Sequence, residues 1–123
     1  MNGIILACLA IVAHDGDSPL CDGILLRDMG PGKPFVSGFD TPEIERARCD
    51  RERMLGEAAR DRYQQLLDRP GTYVVDSGKR DQFDRPLVWV LLSDRTPAGT
   101  ILLKEWHAVP WPNDKDWCDE QRR

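Results

Sequence analysis

Four carboxylates stand apart from the other acidic residues by where they fall. Asp15 and Asp17 flank Gly16 at the end of an apolar run, and Asp40 and Glu43 bracket Thr41-Pro42 further on. If those two places meet, the carboxylates share a small space and repel one another unless a cation joins them. A donor set made only of oxygens suits Ca²⁺ or Mg²⁺ rather than zinc. The same residues have a plainer explanation. Asp-Gly-Asp is an ordinary turn, and acids at a helix start offset the helix dipole. Spacing alone leaves both open. His14 reads as a surface residue at a strand end and His107 as structural.

The elements that would position these groups must come from 123 residues, which is room for one domain spanning 1–123. A hydrophobic share of 41%, a charged share of 31%, and 10 Gly with 9 Pro exclude a collagen-like, coiled-coil or disordered chain. Lys and Arg number 17 against 21 Asp and Glu. The net charge of -4 excludes an all-over basic coat for nucleic acid but not a local basic cleft. Cys8, Cys21, Cys49 and Cys118 form no CxxC pair and no zinc-finger spacing, and three full pairings are open to them. The longest apolar stretch, Ile4 to Ala13, is about half a membrane span, and no Lys or Arg precedes Arg27 as a signal sequence would require. No membrane partner is expected, nor a leader within this chain.

Ile4 to Ala13 reads as a mostly buried strand, stopped by the turn-rich His14–Pro19. Ile24–Leu26 should return antiparallel beside it, and Phe35–Phe39 should form a third strand after a Gly-Pro loop. Thr41 can cap a helix that has Pro42 at its first position, so a helix is predicted over Ile44–Leu67, closed by Asp68-Arg69-Pro70-Gly71. Thr72–Asp76 and Leu87–Leu92 read as strands about the polar loop Ser77–Pro86, and Pro97, Ala98, Gly99 and Thr100 precede a shorter helix that runs to about Trp106. One helical turn is expected at Asp116–Gln121. The prediction is an α+β, mainly β protein: a closed five-stranded barrel braced by one long helix and smaller C-terminal helices. A ferredoxin-like two-layer sheet is the alternative.

Three stretches occur in order: Val12-Ala13-His14-Asp15-Gly16-Asp17-Ser18, then Gly38-Phe39-Asp40-Thr41-Pro42-Glu43, then Asp81-Gln82-Phe83-Asp84-Arg85-Pro86-Leu87. With Leu55-Gly56-Glu57-Ala58-Ala59 and Thr100–Ala108, this arrangement resembles the staphylococcal (micrococcal, thermonuclease-like) nuclease family over nearly the whole chain. The resemblance implies an OB-fold barrel that hydrolyses DNA, and RNA as a second substrate, with Ca²⁺, cleaving P–O5′ bonds to leave 3′-phosphates. It implies Asp17, Asp40 and the Thr41 carbonyl as metal ligands, and Glu43 as the residue that positions or activates water. It gives Arg85 a contact with the scissile phosphate or the leaving oxygen, which suits a two-pronged guanidinium.

The family also carries a second arginine before its Asp-Thr-Pro-Glu motif. Counting back five positions from Asp40 reaches Phe35. Alternatively, Leu26-Arg27-Asp28-Met29-Gly30 resembles the family's Arg-Leu-x-Gly stretch, Pro31–Ser37 is an insertion, and Arg27 is that arginine. The second alignment is favoured, although Asp28 is a competing partner for Arg27 and a solvated Arg27 is the plainest reading. Ser18 stands for the usual threonine, and Asp84 for a turn glycine. Phe83, beside Arg85, is the best candidate to stack on a base, ahead of Trp111 and Trp117. Packing is the stronger expectation for Trp89, Trp106 and Trp117. Lys79 and Arg80 either extend a phosphate track or make an ordinary hairpin surface. The expected partner is single-stranded or locally unwound nucleic acid, and the expected state a monomer, with a homodimer covered by the aromatic tail as the alternative. A different function class is a weakened OB module that binds a strand or a protein without cleaving it. Trp-Cys near the end resembles extracytoplasmic members of the family, which supports a Cys49–Cys118 bridge, and Cys8 with Cys21 across the first hairpin is the second pairing. Two bridges point to an extracytoplasmic home.

Overall fold

A computed structural model of the chain describes residues 3–119. The long helix, α1 (Asp50–Leu67), turns Gly56, Ala59, Tyr63, Leu66 and Leu67 inward at helical spacing, as its apolar side requires. It starts later than Ile44. Thr41 does not cap it: the Glu43 amide, one that a capping Thr41 hydroxyl would accept, donates instead to the Glu52 carboxylate. The cap is Cys49, whose sulfur accepts the Glu52 amide at 3.3 Å. Residues 42–49 instead run across the helix start. The buried Glu52 carboxylate accepts the amides of Glu43 (3.3 Å) and Arg48 (2.9 Å).

The first apolar run is not one buried strand. It divides into β1 (Ile4–Leu6) and β2 (Ile11–Ala13), and Ile4, Ile5 and Leu9 are exposed. The break is made from further along the chain: the Leu9 and Ala10 amides donate to the Asp22 carboxylate at 3.1 and 2.8 Å, leaving the ladder. After the His14–Ser18 turn, β3 (Pro19–Cys21) pairs antiparallel with β2, a strand the sequence did not announce. The chain then forms β4 (Ile24–Leu25), which lies against β3 rather than against the first strand, and β5 (Arg27–Asp28). Phe35 and Val36 belong to a turn, and the strand there is β6 (Gly38–Asp40).

After α1, β7 (Tyr73–Arg80) extends four residues into the expected loop, with a register irregularity between Asp76 and Arg80. It returns as β8 (Pro86–Leu91), then α2 (Ala98–Lys104) and β9 (Val109–Trp111) follow. The described part of the tail ends in a turn (Asp119 N–H to the Asp116 carbonyl, 3.3 Å), and residues 120 and 121 of the expected helical turn lie outside the described residues.

The protein is α+β and mainly strand. Its sheets run β1-β7-β8-β5, β2-β3-β4 and β6-β9, with no closed barrel among the described residues. Among the described residues only β5 and β8 pair in parallel. Strand β8 is buried on both faces, which explains its unbroken apolar sequence. Val88 and Val90 pack with Phe39, Tyr63, Leu66 and Leu102, while Leu87, Trp89 and Leu91 pack with Met29 and Val75. Two disulfides, Cys8–Cys21 and Cys49–Cys118, join positions 13 and 69 residues apart. No helix among the described residues is long and apolar enough to cross a membrane.

Candidate functional site

A cleft of about 700 Å³ opens where the β2–β3 turn, β5, β6 and the β7–β8 turn come together. Asp15, Asp17, Asp40, Glu43, Arg27 and Arg85 all line it. Two close packings make the meeting possible. A Cβ on Gly16 would sit 2.7 Å from the Thr41 side chain and 2.9 Å from Ala59, so the Asp-Gly-Asp turn lies flat on Thr41 and α1. A Cβ on Gly56 would lie 2.8 Å from the carbonyl oxygens of Pro42 and Glu43, so glycine lets that backbone rest on the helix.

Asp17 is the hub. Its Oδ1 accepts the Ser18 hydroxyl (3.0 Å), and its Oδ2 accepts the Thr41 amide (3.1 Å) and Arg27 Nη1 (2.5 Å). Burial disfavours its charge, but the Arg27 guanidinium and these bonds outweigh that and hold Asp17 below the usual carboxylate range. Burial likewise works against Arg27, and the Asp17 charge reverses the balance and raises it. Arg27 Nη2 also donates to the Phe39 carbonyl at 2.6 Å.

Neighbouring residues on a strand face opposite ways, so Asp28 points inward and leaves Arg27 to the cleft. The buried Asp28 carboxylate accepts the Tyr63 hydroxyl at 2.7 Å and the amides of Gly30 (2.8 Å) and Val90 (3.3 Å). Burial pushes it up to about 6. Arg27 is therefore neither solvated nor tied up by Asp28.

The remaining acids are short of positive charge. Asp15 is pushed well above the usual range by burial and by the Asp17 charge beside it. Burial and Asp17 also raise Asp40 and Glu43. Asp40 Oδ2 accepts Asn113 Nδ2 at 3.2 Å, a contact from the tail that no sequence signal marks. Among the described residues no group of three or more His, Cys, Asp or Glu side chains is gathered closely enough to hold a metal ion.

Arg85 is fixed by Asp81, whose Oδ2 accepts its Nε at 2.7 Å, and its Nη1 reaches the Ser18 hydroxyl at 3.3 Å. The Phe83 ring lies 5.5 Å from its guanidinium and lines the cleft. Asp84 adopts φ 63, the turn geometry that aspartate tolerates, with its side chain 3.6 Å from Arg80 and turned to solvent.

Lys79 and Arg80 lie on the exposed end of β7 and do not line the cleft. Thr41 is buried beneath it. Trp111 lines the cleft, whereas Trp117 is buried under Lys115, and Trp89 is in the core. Trp106 departs from the packing expectation: at φ 65, just after the C-terminal cap of α2, its ring is exposed. Sequence reasoning missed Lys33, Arg46 and Arg60 as lining residues, and Glu52 as the anchor of the segment bearing Glu43. No protein-family model matches the chain, and no curated protein matches it.

Proposed function

We propose that the protein is a Ca²⁺-dependent nuclease of low sequence specificity, acting on single-stranded or locally unwound DNA and on RNA. The observation that carries this reading is the meeting of Asp17, Asp40 and Glu43 with Arg27 and Arg85 in one cleft. We take the framework to be a five-stranded OB fold in which β1 with β2, and β4 with β5, are halves of two bent strands. Chain continuity supports it. The order β1-β7-β8-β5 passes through Leu26 to β4-β3-β2 and back to β1 through residues 7–10. The two disulfides favour an extracytoplasmic home.

Asp17, Asp40 and the Thr41 carbonyl are the Ca²⁺ ligands of this proposal. Burial and the neighbouring Asp17 charge raise Asp15, Asp40 and Glu43, and a bound cation would offset both effects. When bound, the ion supplies positive charge to the phosphoryl oxygens. Arg27 exchanges its carboxylate partner for a phosphate oxygen, and Arg85, already oriented by Asp81, takes another. Glu43, whose proton affinity is raised by burial and by the Asp17 and Asp40 charges, takes a proton from the attacking water. The water oxygen bonds to phosphorus as the P–O5′ bond breaks, and the 5′ oxygen leaves with a proton from solvent. The products are a 3′-phosphate and a 5′-hydroxyl.

Calorimetry with Ca²⁺, paired with cleavage of a labelled single strand, tests the proposal. Asp40→Ala should abolish Ca²⁺ binding. Glu43→Gln should leave it largely intact and slow hydrolysis by roughly 10²- to 10⁴-fold. A wild type that binds no divalent ion and digests neither DNA nor RNA would replace this reading with that of a strand-binding OB module.

A further inference from the structure

Between β5 and β6 the chain makes a tight turn that brings Lys33 and Phe35 to the cleft. The turn is firmly closed. Lys33 N–H donates to the Ser37 carbonyl and Oγ at 3.1 and 3.2 Å, and the Val36 and Ser37 amides both donate to the Lys33 carbonyl at 3.1 Å. Its root is pinned to the core, where Trp89 Nε1 donates to the Gly32 carbonyl at 2.8 Å.

Phe35 sits at φ 66, a left-handed conformation that bulky residues avoid and glycine adopts freely. Its ring is 66% exposed, so little burial offsets that strain. Nothing in the packing explains a phenylalanine here. Strain that packing does not repay clusters at ligand-holding sites. Trp111, 41% exposed, lines the same cleft and pairs through β9 with Gly38, immediately behind the turn. Lys33 and Arg46 add positive charge. Exposed aromatic faces interspersed with cations hold unpaired bases and the phosphates between them.

We propose that the turn at residues 33–37 is a strand-holding site in which Phe35 stacks on an unpaired base one nucleotide beyond the two joined by the reacting phosphodiester, while Lys33 and Arg46 take the phosphate that leads to it. This rests on the nuclease reading for the position of the phosphate. It adds that the protein needs a strand longer than a dinucleotide for full affinity. Stacking tolerates any base, so the site selects for single strands over sequence.

The test compares Phe35→Gly and Phe35→Trp in a Glu43→Gln background with Ca²⁺ present, reading the anisotropy of a labelled oligothymidylate. Phe35→Gly should weaken binding roughly 5- to 150-fold, the range of one lost base stack. Its melting temperature should equal or exceed that of its parent, because glycine relieves the left-handed strain. Phe35→Trp should retain affinity. Cleavage by the otherwise unaltered enzyme separates the two readings, since Phe35→Gly should raise KM for the oligonucleotide while leaving kcat and dinucleotide cleavage unchanged. Oligonucleotide affinity that is equal in the Glu43→Gln parent and Phe35→Gly overturns the inference, even where dinucleotide cleavage upholds the nuclease. Absence of any oligonucleotide binding overturns it as well. A protein that binds the strand through Phe35 and cleaves nothing would uphold this site and sink the nuclease.

Discussion

Arg27 and Asp17 form a nearly dry ion pair, with side-chain exposures of 15% and 10%. Such a pair contributes little over a well-packed apolar one, but deleting one partner leaves a buried charge and costs about 3–5 kcal/mol. Arg27→Ala should therefore destabilise the protein by that order without divalent ions, measured by chemical unfolding. Ca²⁺ should recover much of the loss, because an ion held at Asp17 replaces the missing counter-charge. Cleavage should fall by roughly 10²- to 10³-fold even where Ca²⁺ restores stability, since the phosphate has lost a guanidinium donor. A stability deficit unchanged by Ca²⁺ would show that Asp17 does not hold the ion. Phe35, exposed and in a turn, contributes little to stability.

At the scale of elements, the segment at residues 42–49 matters most, because it carries Glu43 across the start of α1. Gly56→Ala sets two effects against each other. Alanine in a helix gains about 1 kcal/mol over glycine. Here its Cβ meets two backbone carbonyl oxygens at 2.8 Å, and neither is the far end of a flexible side chain. Overpacking of that kind costs about 1–3 kcal/mol, so the clash should win. Net destabilisation with reduced cleavage is expected, and a stabilised Gly56→Ala protein would show that the Glu43 backbone moves off the helix freely. The same segment marks where sequence pattern gives out. The body of α1 and the strand β8 are legible in apolar spacing, since each follows from its own buried face. The start of α1 is not, because the Glu52 carboxylate, a helix residue, claims the Glu43 amide that a Thr41 cap would have accepted. The break between β1 and β2 is hidden for a similar reason: Asp22, twelve residues beyond Ala10, takes over the amides. Aligned motifs pointed to Arg27 as well as Asp17 and Asp40, whereas Asn113 and Glu52 act through long-range contacts that leave no local pattern.

Across the whole molecule, the two disulfides should differ in weight. Bridging positions 13 and 69 residues apart removes different amounts of freedom from the unfolded chain. Loop-closure entropy assigns about 3 kcal/mol to the short bridge and about 4.5 kcal/mol to the long one. The long bridge also ties the tail, which supplies Asn113 to Asp40 and the buried Trp117, to the first turn of α1. Its removal must not be confused with loss of the helix cap, since the Cys49 sulfur accepts the Glu52 amide. A Cys49→Ser/Cys118→Ala protein avoids that, because serine caps well. Compared with Cys8→Ala/Cys21→Ala by denaturant unfolding, it should lose more stability by about 1–2 kcal/mol. It should also lose Ca²⁺ affinity, as Asp40 is held less firmly, whereas the short-bridge variant should keep it. Equal losses in both proteins would mean that the tail is anchored by β9 and Trp117 without help from the bridge. A larger loss from the short bridge would shift the weight to the β2–β3 hairpin, where Cys21 is buried in the main core.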